Sequence, residues 1–323
     1  MATLTEQLNT MYTTTWNLRR KELFDQVFAA TPFYYLMSKK GRIKFETGGR
    51  MIEESLQYAM NDTVKFIGTG ENVEIKTQDN LTVSLWAWKT LTGHITRLFG
   101  EFRQNRGQAK IMDRVTTDID NLKGAMIDKL ENMLFGDGTA DDGKAINGLG
   151  NIIPTTPAVG TVGGIDRAVS TWWRPQVTSM SAEDTSVLLL KRMRTMFNDC
   201  GQWGNEVNRF PDLLVTTQAI SEIYEEEADE KYRISDTGLI DLGFGDQAFK
   251  GRPLVWSPAA TSGALFFLNT AYLHLIVDNI EWMSLGEWLP IYDQPKDYVA
   301  HALSVLNVVC SNCQRQGKLH TIA

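Results

Sequence analysis

The 323-residue sequence lacks any long apolar run, and none of its segments approaches the roughly 18 consecutive apolar residues that a membrane-spanning helix needs. Met1–Glu6 also lacks the basic-then-apolar order of a secretory signal. With 43% apolar residues, the chain can nevertheless bury a substantial core, which excludes a disordered chain and favours two or more lobes. We therefore expect a soluble protein that is made in the cytoplasm.

Cysteine is scarce, with three residues, at positions 200, 310 and 313. This number and spacing do not suit a disulfide framework. Cys310 and Cys313 have the CxxC spacing of a zinc or redox motif, but no second such pair exists, and His320 supplies at most one further ligand. We interpret the cysteines as reduced structural residues, with metal or redox chemistry at Cys310 and Cys313 as the alternative.

Basic residues are fewer than acidic ones, so that the formal net charge is -7 and the pI is near 5.3. This balance argues against a protein whose whole surface binds nucleic acid, although it allows one basic face. Local basic groups occur at Arg19–Lys21, Lys39–Lys44 and Lys191–Arg194. Solvated helix or arm residues account for all three groups.

Recognisable catalytic frames are missing as well. The four histidines are scattered singly, and no HExxH or GxSxG pattern surrounds them. His94 and His274 lie in strand-like runs, where a packed histidine is the simpler interpretation. The carboxylates of Glu225–Glu230 are typical of a solvated helix face. These absences favour a protein that is not an enzyme and that needs no cofactor.

Gly138–Lys144 fits the GxxxxGK spacing of a phosphate-binding loop. Ala145, however, replaces the hydroxyl residue that would hold magnesium, and the segment follows a helix instead of a strand. Its aspartates lack the spacing of a calcium loop. We interpret the segment as a helix-terminating turn with Asx-turn chemistry.

Helical periodicity, in contrast, is abundant between Asn105 and Gly138. The apolar residues recur at three- and four-residue steps, while charged residues such as Lys123 and Glu131 are expected mostly on the other faces. A helix of roughly 27 residues would be about 40 Å long and could form the spine of an α+β subunit. The apolar stripe consists of Ile111, Val115, Ile119, Leu122, Met126, Leu130 and Leu134.

Two strand-like runs precede this helix, at Met51–Tyr58 and Leu81–Trp88. A polar, Gly-punctuated tip, Asn61–Asn80, joins them, so that they predict a long projecting hairpin. An isolated hairpin is marginal in water, and something outside it must stabilise it. Trp86 and Trp88 share one face, which either a neighbouring subunit or the chain's own body must cover.

The second half of the chain alternates helices and strands, which again favours an α+β fold. Helices are predicted over about Ala182–Asn198, with Ser181 as N-cap, and over Gln218–Tyr232. Strands are predicted at Asp212–Thr216, Pro253–Trp256, Leu265–Leu268, Leu273–Val277 and Ala300–Val309.

The order of these features, together with particular strings, resembles the major capsid proteins of tailed bacteriophages that have the Hong Kong 97 fold. The resemblance runs from about residue 10 to the C-terminus. The strings are Gly48–Arg50, Glu53–Glu54, Leu56–Tyr58, Trp88–Leu91, Asn105–Gly107, Gly136–Gly138, Gly148–Gly150, Thr161–Arg167, Trp172–Arg174, Phe267–Thr270 and Cys310–Asn312.

The resemblance implies a division of the chain into arm, loop and two domains. Residues 1–40 would be the N-terminal arm, and residues 41–100 the extended loop, a two-stranded hairpin that lies on a neighbouring subunit. The peripheral domain would contain the spine helix, residues 101–139, and a sheet, residues 266–312. Residues 140–265 would form the axial domain at the centre of each capsomer, and residues 313–323 a C-terminal tail.

The resemblance also implies a function, namely self-assembly into pentamers and hexamers of an icosahedral head that encloses double-stranded DNA by weak, non-specific contact. Scaffolding, portal and decoration proteins would be the further partners, the virion capsid the location, and the host bacterial cytoplasm the place of synthesis. The long arm that many relatives carry ahead of this point is not expected here, which suggests a separate scaffolding protein or none.

Candidate inter-subunit contacts follow from the strings and from the projecting hairpin. They are Arg50, Glu53, Glu54, Lys65, Lys76, Trp86 and Trp88. Lys65 and Lys76 lie on the projection, but no string identifies an asparagine partner for a covalent crosslink. Two alternatives stay open: an encapsulin-like bacterial nanocompartment with the same fold, which the long hairpin disfavours, and a soluble hydrolase with a dispersed site.

Overall fold

The computed structural model describes residues 32–72, 75–97, 108–181, 185–202, 209–229, 247–292, 294 and 297–322. Its helices are α1 (Pro32–Lys39), α2 (Gln108–Phe135), α3 (Leu149–Ile152), α4 (Thr185–Cys200) and α5 (Gln218–Asp229), with one further turn at Ala140–Gly143 and short 3-10 turns at Thr171–Trp173 and Cys313–Arg315. The N-terminal arm, apart from its last residues, and Ser181's predicted helix start at 182–184 lie outside these ranges.

The strands fall into two large sheets and two small hairpins. In chain order they are β1 (Ile43–Glu46), β2 (Ile52–Gln57), β3 (Leu81–Trp86), β4 (Lys89–Arg97), β5 (Thr161–Val162), β6 (Ile165–Asp166), β7 (Gln176–Ser179), β8 (Leu213–Thr216), β9 (Ala248–Phe249), β10 (Arg252–Trp256), β11 (Leu265–Leu268), β12 (Leu273–Asp278), β13 (Ser284–Leu285), β14 (Leu289–Pro290), β15 (Tyr298–Cys310) and β16 (Gly317–His320). The mixed content confirms the predicted α+β class.

The predicted spine helix is present as α2, which is 28 residues long. Of its stripe, Ile119, Met126, Leu130 and Leu134 are buried, and Leu122 is half-buried. The side chains of residues 108–117 lie outside the description. Lys123 and Glu131 are buried as well, so their predicted place on the solvent faces is wrong. The reason is that α2 packs on more than one side, which makes its covered surface wider than one stripe.

The first sheet is built around the long strand β15. β15 pairs antiparallel with β4 along one edge and with β12, β13 and β14 in succession along the other, and β1 adds to β12 in parallel. Small residues let α2 approach this sheet closely, since Gly93 lies opposite Ala302 and a Cβ at Gly93 would come 2.5 Å from Leu122 Cδ1. Arg97 at the end of β4 also pairs with Asp118 of α2 at 3.2 Å.

The boundaries predicted for the extended loop need correction. β1 and β4, which lie inside residues 41–100, belong to the first sheet, and only β2 and β3 form the separate hairpin. The chain leaves the hairpin at Ala87, whose carbonyl accepts a 2.7 Å hydrogen bond from Nδ2 of the buried Asn307. This bond fixes the point where the hairpin strand becomes a sheet strand, a contact between residues 220 positions apart.

The second sheet has the order β7-β16-β11-β8-β10-β9 and is covered on both faces. One face, which includes Phe266 and Val215, packs on the main core with α1 and α2, and the other, which includes Phe267 and Leu319, packs on α4 and α5. Two-sided burial explains why β11 is apolar throughout and why β8 is apolar up to its last residue, Thr216.

Two predicted assignments change as a result. Leu265–Leu268, placed mostly with the peripheral sheet, and Gly317–His320, placed in a C-terminal tail, are neighbouring central strands of the second sheet. Gly317 permits this arrangement, because a Cβ there would lie 2.6 Å from the sulfur of Cys200 on α4. A four-residue strand that contains glycine and lysine has no clear strand pattern in the sequence.

The histidines show one correct and one wrong prediction. His274 is buried, and burial lowers its pKa to about 4. His94, predicted to be packed, is exposed on the outer face of β4, directly across from His301, with ring centroids 6.2 Å apart. The opposite face of β4 carries Gly93 and Ile95 and meets α2, so alternation places His94 toward solvent.

Glu131 of α2 links three elements of the core. Its Oε1 accepts a 2.9 Å hydrogen bond from Ser257 Oγ, and the backbone N–H groups of Phe33 and Tyr34 in α1 face the same carboxyl. Burial outweighs these contacts and raises the pKa of Glu131 to about 7. The folded protein therefore holds this proton up to near-neutral pH.

Glu131→Gln should stabilise the chain increasingly as the pH rises above 4.5, with the full gain reached above about 7. The unfolded carboxyl ionises near its ordinary pKa of 4.5 and the folded one near 7, so the ionised group costs stability increasingly as the pH rises through that window. We expect a gain of roughly 1–3 kcal/mol at pH 8 and almost none at pH 4, measured by urea unfolding of the unassembled chain.

Asp128→Asn, an exposed change on the same helix, is the matched control and should alter neither value by more than about 0.5 kcal/mol. An equal gain from Glu131→Gln at both pH values would contradict the assignment of a buried, protonated carboxyl.

Candidate subunit interface

The predicted hairpin is present, with Ile52–Gln57 antiparallel to Leu81–Trp86 and Ile52 directly opposite Trp86. At its far end the Tyr58 N–H donates to the Asn80 carbonyl at 3.1 Å, and the Tyr58 hydroxyl donates to the Asp79 carbonyl at 2.6 Å. The described residues between 59 and 80 contain no strand or helix. The chain therefore extends a short two-stranded stem into a long irregular tip.

The base of the hairpin is covered by the chain's own body. Trp86 is 1% exposed, and its Nε1–H donates to Ser84 Oγ at 3.1 Å. Gly163, at a φ of +60°, leaves room for the indole, since a Cβ there would lie 3.0 Å from the Trp86 ring. The Leu85 N–H donates to the Gly163 carbonyl at 2.9 Å.

The sequence left open whether a neighbouring subunit or the chain's own body covers the tryptophans. For Trp86, the chain's own body provides the cover. Trp88 is half-buried against the same core. Tyr58 stacks on Trp172, with ring centroids 5.3 Å apart, and so fastens the stem at a further point.

The outer face of the stem and most of the described residues of the tip remain uncovered. Leu81, Val83 and Leu85 alternate along the outer face of β3 and are all exposed. In the tip, Val64 and Ile75 are 85% and 95% exposed. Of the seventeen exposed large apolar side chains in the described ranges, ten lie between residues 45 and 85. Apolar surface that is clustered in this way marks an interaction site.

Sequence reasoning treated the tip as polar and missed these side chains. They are Met60, Val64, Phe66, Ile67 and Ile75. Their spacing follows neither a helical nor a strand period, so no periodicity test could find them. The signal available was composition, because a loop that contacts only water rarely needs so many large apolar residues.

The charged candidate residues lie around this surface but are not brought together into one group. Arg50, Glu53 and Lys65 are exposed. Glu54 pairs with Lys44 of β1 at 3.4 Å, and Lys76 pairs with Asp62 across the tip at 2.9 Å. Exposed pairs of this kind contribute about 0–1 kcal/mol, so they shape the tip more than they stabilise it.

A half-open apolar groove of about 480 Å³ lies on the body between α2 and β4. Leu91, Leu122, Met126 and Met133 contribute apolar wall atoms, and Ala125 opens onto it. Its rim carries the charged residues Lys89, Lys129, Asp141 and Lys144. Lys129 pairs with Asp141 at 2.8 Å, which leaves the rim with a positive balance.

Three further features of the described part of the chain bear on metal binding, phosphate binding and membrane insertion. No cluster of three or more His, Cys, Asp or Glu side chains there is arranged to hold a metal ion. The GxxxxGK segment forms a turn in which Asp141 and Asp142 have positive φ values. No helix in the same ranges has the length and apolar content to cross a bilayer.

Two sheets joined by a long helix, with a projecting two-stranded loop, form the Hong Kong 97 fold of viral capsid subunits, which confirms the predicted fold. Among solved structures, the chain is similar to the capsid asymmetric unit of cyanophage A-1(L), with a TM-score of 0.66 and 16% identity over 87% of this chain and 90% of that one. It is also similar to the capsid of Myoviridae phage XM1, with a TM-score of 0.56 and 11% identity over 88% and 91% of the two chains.

The same comparison finds a virus-like particle from Pyrococcus furiosus, with a TM-score of 0.50 and 10% identity over 92% of this chain and 96% of that one. No protein-family model matches the sequence, and no curated protein matches it. The fold is therefore clear from structure while the sequences have diverged.

Trp86→Ala should loosen the stem of the hairpin from the body. Removal of a fully buried indole is expected to cost about 3–5 kcal/mol in the free energy of unfolding and to increase hydrogen exchange in β2 and β3. Leu85→Ala, the neighbouring residue on the outer face, is the control and should cost under about 1 kcal/mol. Equal costs would contradict the opposite burial of these two side chains.

Proposed function

We propose that this chain is the major capsid protein of a tailed bacteriophage and assembles into the icosahedral head around a double-stranded DNA genome. The fold supports this proposal, because the similar structures from cyanophage A-1(L) and phage XM1 are capsids. The role is structural and not enzymatic. The product is made in the host bacterial cytoplasm and resides in the virion.

The observation that carries the proposal is the uncovered apolar surface of the projecting loop. The body buries its own core on both faces of the second sheet and around α2. Among the described residues, the loop is fastened at its stem, and most side chains of its tip are exposed. Another copy of the chain can cover the remaining apolar surface, and closed symmetric assemblies repeat such a contact many times.

We assign the groove between α2 and β4 as the receiving surface for the loop tip of a neighbouring subunit. Its apolar walls suit side chains such as Phe66 and Ile75. The lysines at its rim suit the acidic residues of the tip, which include Asp62, Glu71 and Asp79. Apolar contact at the centre and opposite charges at the edge are the usual arrangement of protein interfaces.

Each of the two large sheets forms the centre of one proposed domain. The first sheet with α2 is the peripheral domain, and the second sheet with α4 and α5 is the axial domain that lines the centre of pentamers and hexamers. Residues 1–40 are the arm. Arg50, Glu53, Glu54, Lys65 and Lys76 remain proposed inter-subunit contacts, together with the exposed part of Trp88.

DNA and accessory proteins are the remaining proposed partners. A net charge of -7 suits a shell that confines DNA by weak, non-specific contact. Scaffolding, portal and decoration proteins would bind at other surfaces of the assembled head.

An encapsulin-like compartment is the second candidate, and the similarity to the Pyrococcus furiosus virus-like particle is its support. The TM-score to the cyanophage capsid is higher, 0.66 against 0.50. The long loop tip also favours the phage head.

Phe66→Ser should reduce assembly while leaving the subunit folded. Burial of a phenylalanine side chain contributes about 1.5–3 kcal/mol per contact, so we expect at least a tenfold loss of particles in sedimentation and negative-stain imaging. Phe66→Leu keeps most of the apolar area and should keep assembly. Normal particles from Phe66→Ser would overturn the proposed role of the tip.

Ala125→Trp tests the groove separately. The exposed methyl group of Ala125 opens onto the groove, and an indole there would fill part of it, which should lower particle yield about tenfold without lowering the melting temperature. Gly124→Ala, an exposed change beside the groove, is the control. If Phe66→Ser blocks assembly and Ala125→Trp does not, the tip binds a different surface.

A further inference from the structure

Arg167 is a buried cation that has no carboxylate partner among the described residues. Its side chain belongs to a residue that is 1% exposed. Nη1 donates to the Asn151 carbonyl at 3.2 Å, and Nη2 donates to the Ile152 carbonyl at 2.5 Å and to Cys313 Sγ at 3.8 Å. Nε has no hydrogen-bond partner. Within the described ranges, no Asp or Glu forms an ion pair with this guanidinium.

A buried charge is costly unless an opposite charge accompanies it. Carbonyl oxygens compensate part of the charge of Arg167, and the sulfur of Cys313 is the one contacting atom that can become an anion. Burial by itself raises the pKa of the Cys313 thiol, but the hydrogen bond with Cys310 and the charge of Arg167 outweigh it and hold the pKa below its usual range.

Cys310 places a second thiol beside that of Cys313. It ends β15, and Cys313 begins the 3-10 turn that leads into β16. Each thiol influences the pKa of the other, which indicates that the two side chains lie close together, and both residues are 0% exposed. Burial, together with the neighbouring Cys313, raises the pKa of Cys310. The pair lies where the chain passes from the first sheet to the second.

We propose that Cys310 and Cys313 form a redox-modification site, in which the Cys313 thiolate is held by Arg167, is oxidised by hydrogen peroxide, and is then captured by Cys310 as a disulfide. This inference concerns the chain itself and does not depend on the proposed capsid function.

The steps balance with peroxide as the two-electron oxidant. The Cys313 sulfur attacks one peroxide oxygen, the O–O bond breaks, and the departing hydroxide takes a proton to become water, which leaves a sulfenic acid. The Cys310 sulfur then attacks the Cys313 sulfur, the S–S bond forms, and the hydroxyl group leaves with the Cys310 proton as a second water. Two thiols are oxidised and one peroxide is reduced.

The expected consequence is a covalent clamp at the junction of the two sheets. Disulfides persist in oxidising surroundings and not in a reducing cytoplasm. The site would therefore stay reduced in reducing surroundings and form the disulfide in oxidising ones. Peroxide is small enough to enter a buried site during local opening, whereas a bulky disulfide reagent is not.

The test treats the purified full-length chain with hydrogen peroxide at pH 7, then denatures it, alkylates the free thiols and measures the intact mass. We expect the three thiols to fall to one, with loss of two hydrogens from the peptide that contains Cys310 and Cys313. Cys310→Ser should accumulate a Cys313 sulfenic acid that dimedone traps. Cys313→Ser should abolish the fast reaction.

Cys200→Ser is the matched control and should react as the unaltered chain does, because Cys200 is buried without a second thiol or a hydrogen bond to Arg167. The site is overturned if Cys200 oxidises as fast as Cys313, or if three free thiols survive under conditions in which the unfolded chain is oxidised.

The role of Arg167 is tested by the pH dependence of the rate. Arg167→Lys keeps the charge and should keep fast oxidation, whereas Arg167→Met should slow it about tenfold at pH 7 and much less at pH 9, where the thiol ionises unaided. If Arg167→Met does not fold, the unaltered chain suffices, because its rate should reach half-maximum below the usual thiol pKa. A midpoint at or above the ordinary thiol value would contradict stabilisation by Arg167.

Discussion

The packing of α2 against both sheets is the contact on which the rest of the subunit depends. Leu122 meets Gly93 on the first sheet, and the ring centroid of Phe135 lies 6.1 Å from that of Phe266 on the second. Both contacts belong to one continuous core. Because one rigid helix spans this core, the two sheets hold a fixed relation, and the loop projects from a firm base. Loss of a strand pairing would weaken one sheet, whereas loss of this helix would remove core contacts from both.

The projecting loop has a stem that the subunit's own body covers and a tip whose large apolar side chains are exposed. The stem resembles a small core, with Trp86 over Gly163 and a backbone hydrogen bond from Leu85 to the same glycine. In the described residues from Ala59 to Asn80, the large apolar side chains are exposed to solvent. The hairpin is fastened at its stem and carries exposed apolar side chains at its tip. The fixed stem limits the conformational entropy that is lost when the tip binds a neighbour.

Assembly and oxidation would act on this architecture at different stages. Under the proposed function, contacts between a tip and a groove would be weak one at a time, and repetition around a closed shell would make them sufficient. A disulfide at Cys310 and Cys313 would add a covalent constraint inside each subunit, at the junction of its sheets, without any new contact between subunits. The buried cation of Arg167 gives a physical reason why the proposed reactive thiol lies at this junction and not at the isolated Cys200.

The sequence alone determined the elements whose patterns are regular. The long helix follows from the 3.6-residue spacing of Ile119 to Leu134, the stem from the alternation of Leu81 to Trp86, and the fold class from their order. Tertiary structure decided what has no period: the burial of Lys123 and Glu131, the place of Gly317–His320 at the centre of a sheet, the exposure of His94, and the apolar character of the tip. The physical reason is that periodicity records which face of an element is covered, whereas contacts between residues far apart in the chain, such as Asn307 with Ala87, depend on how covered faces meet.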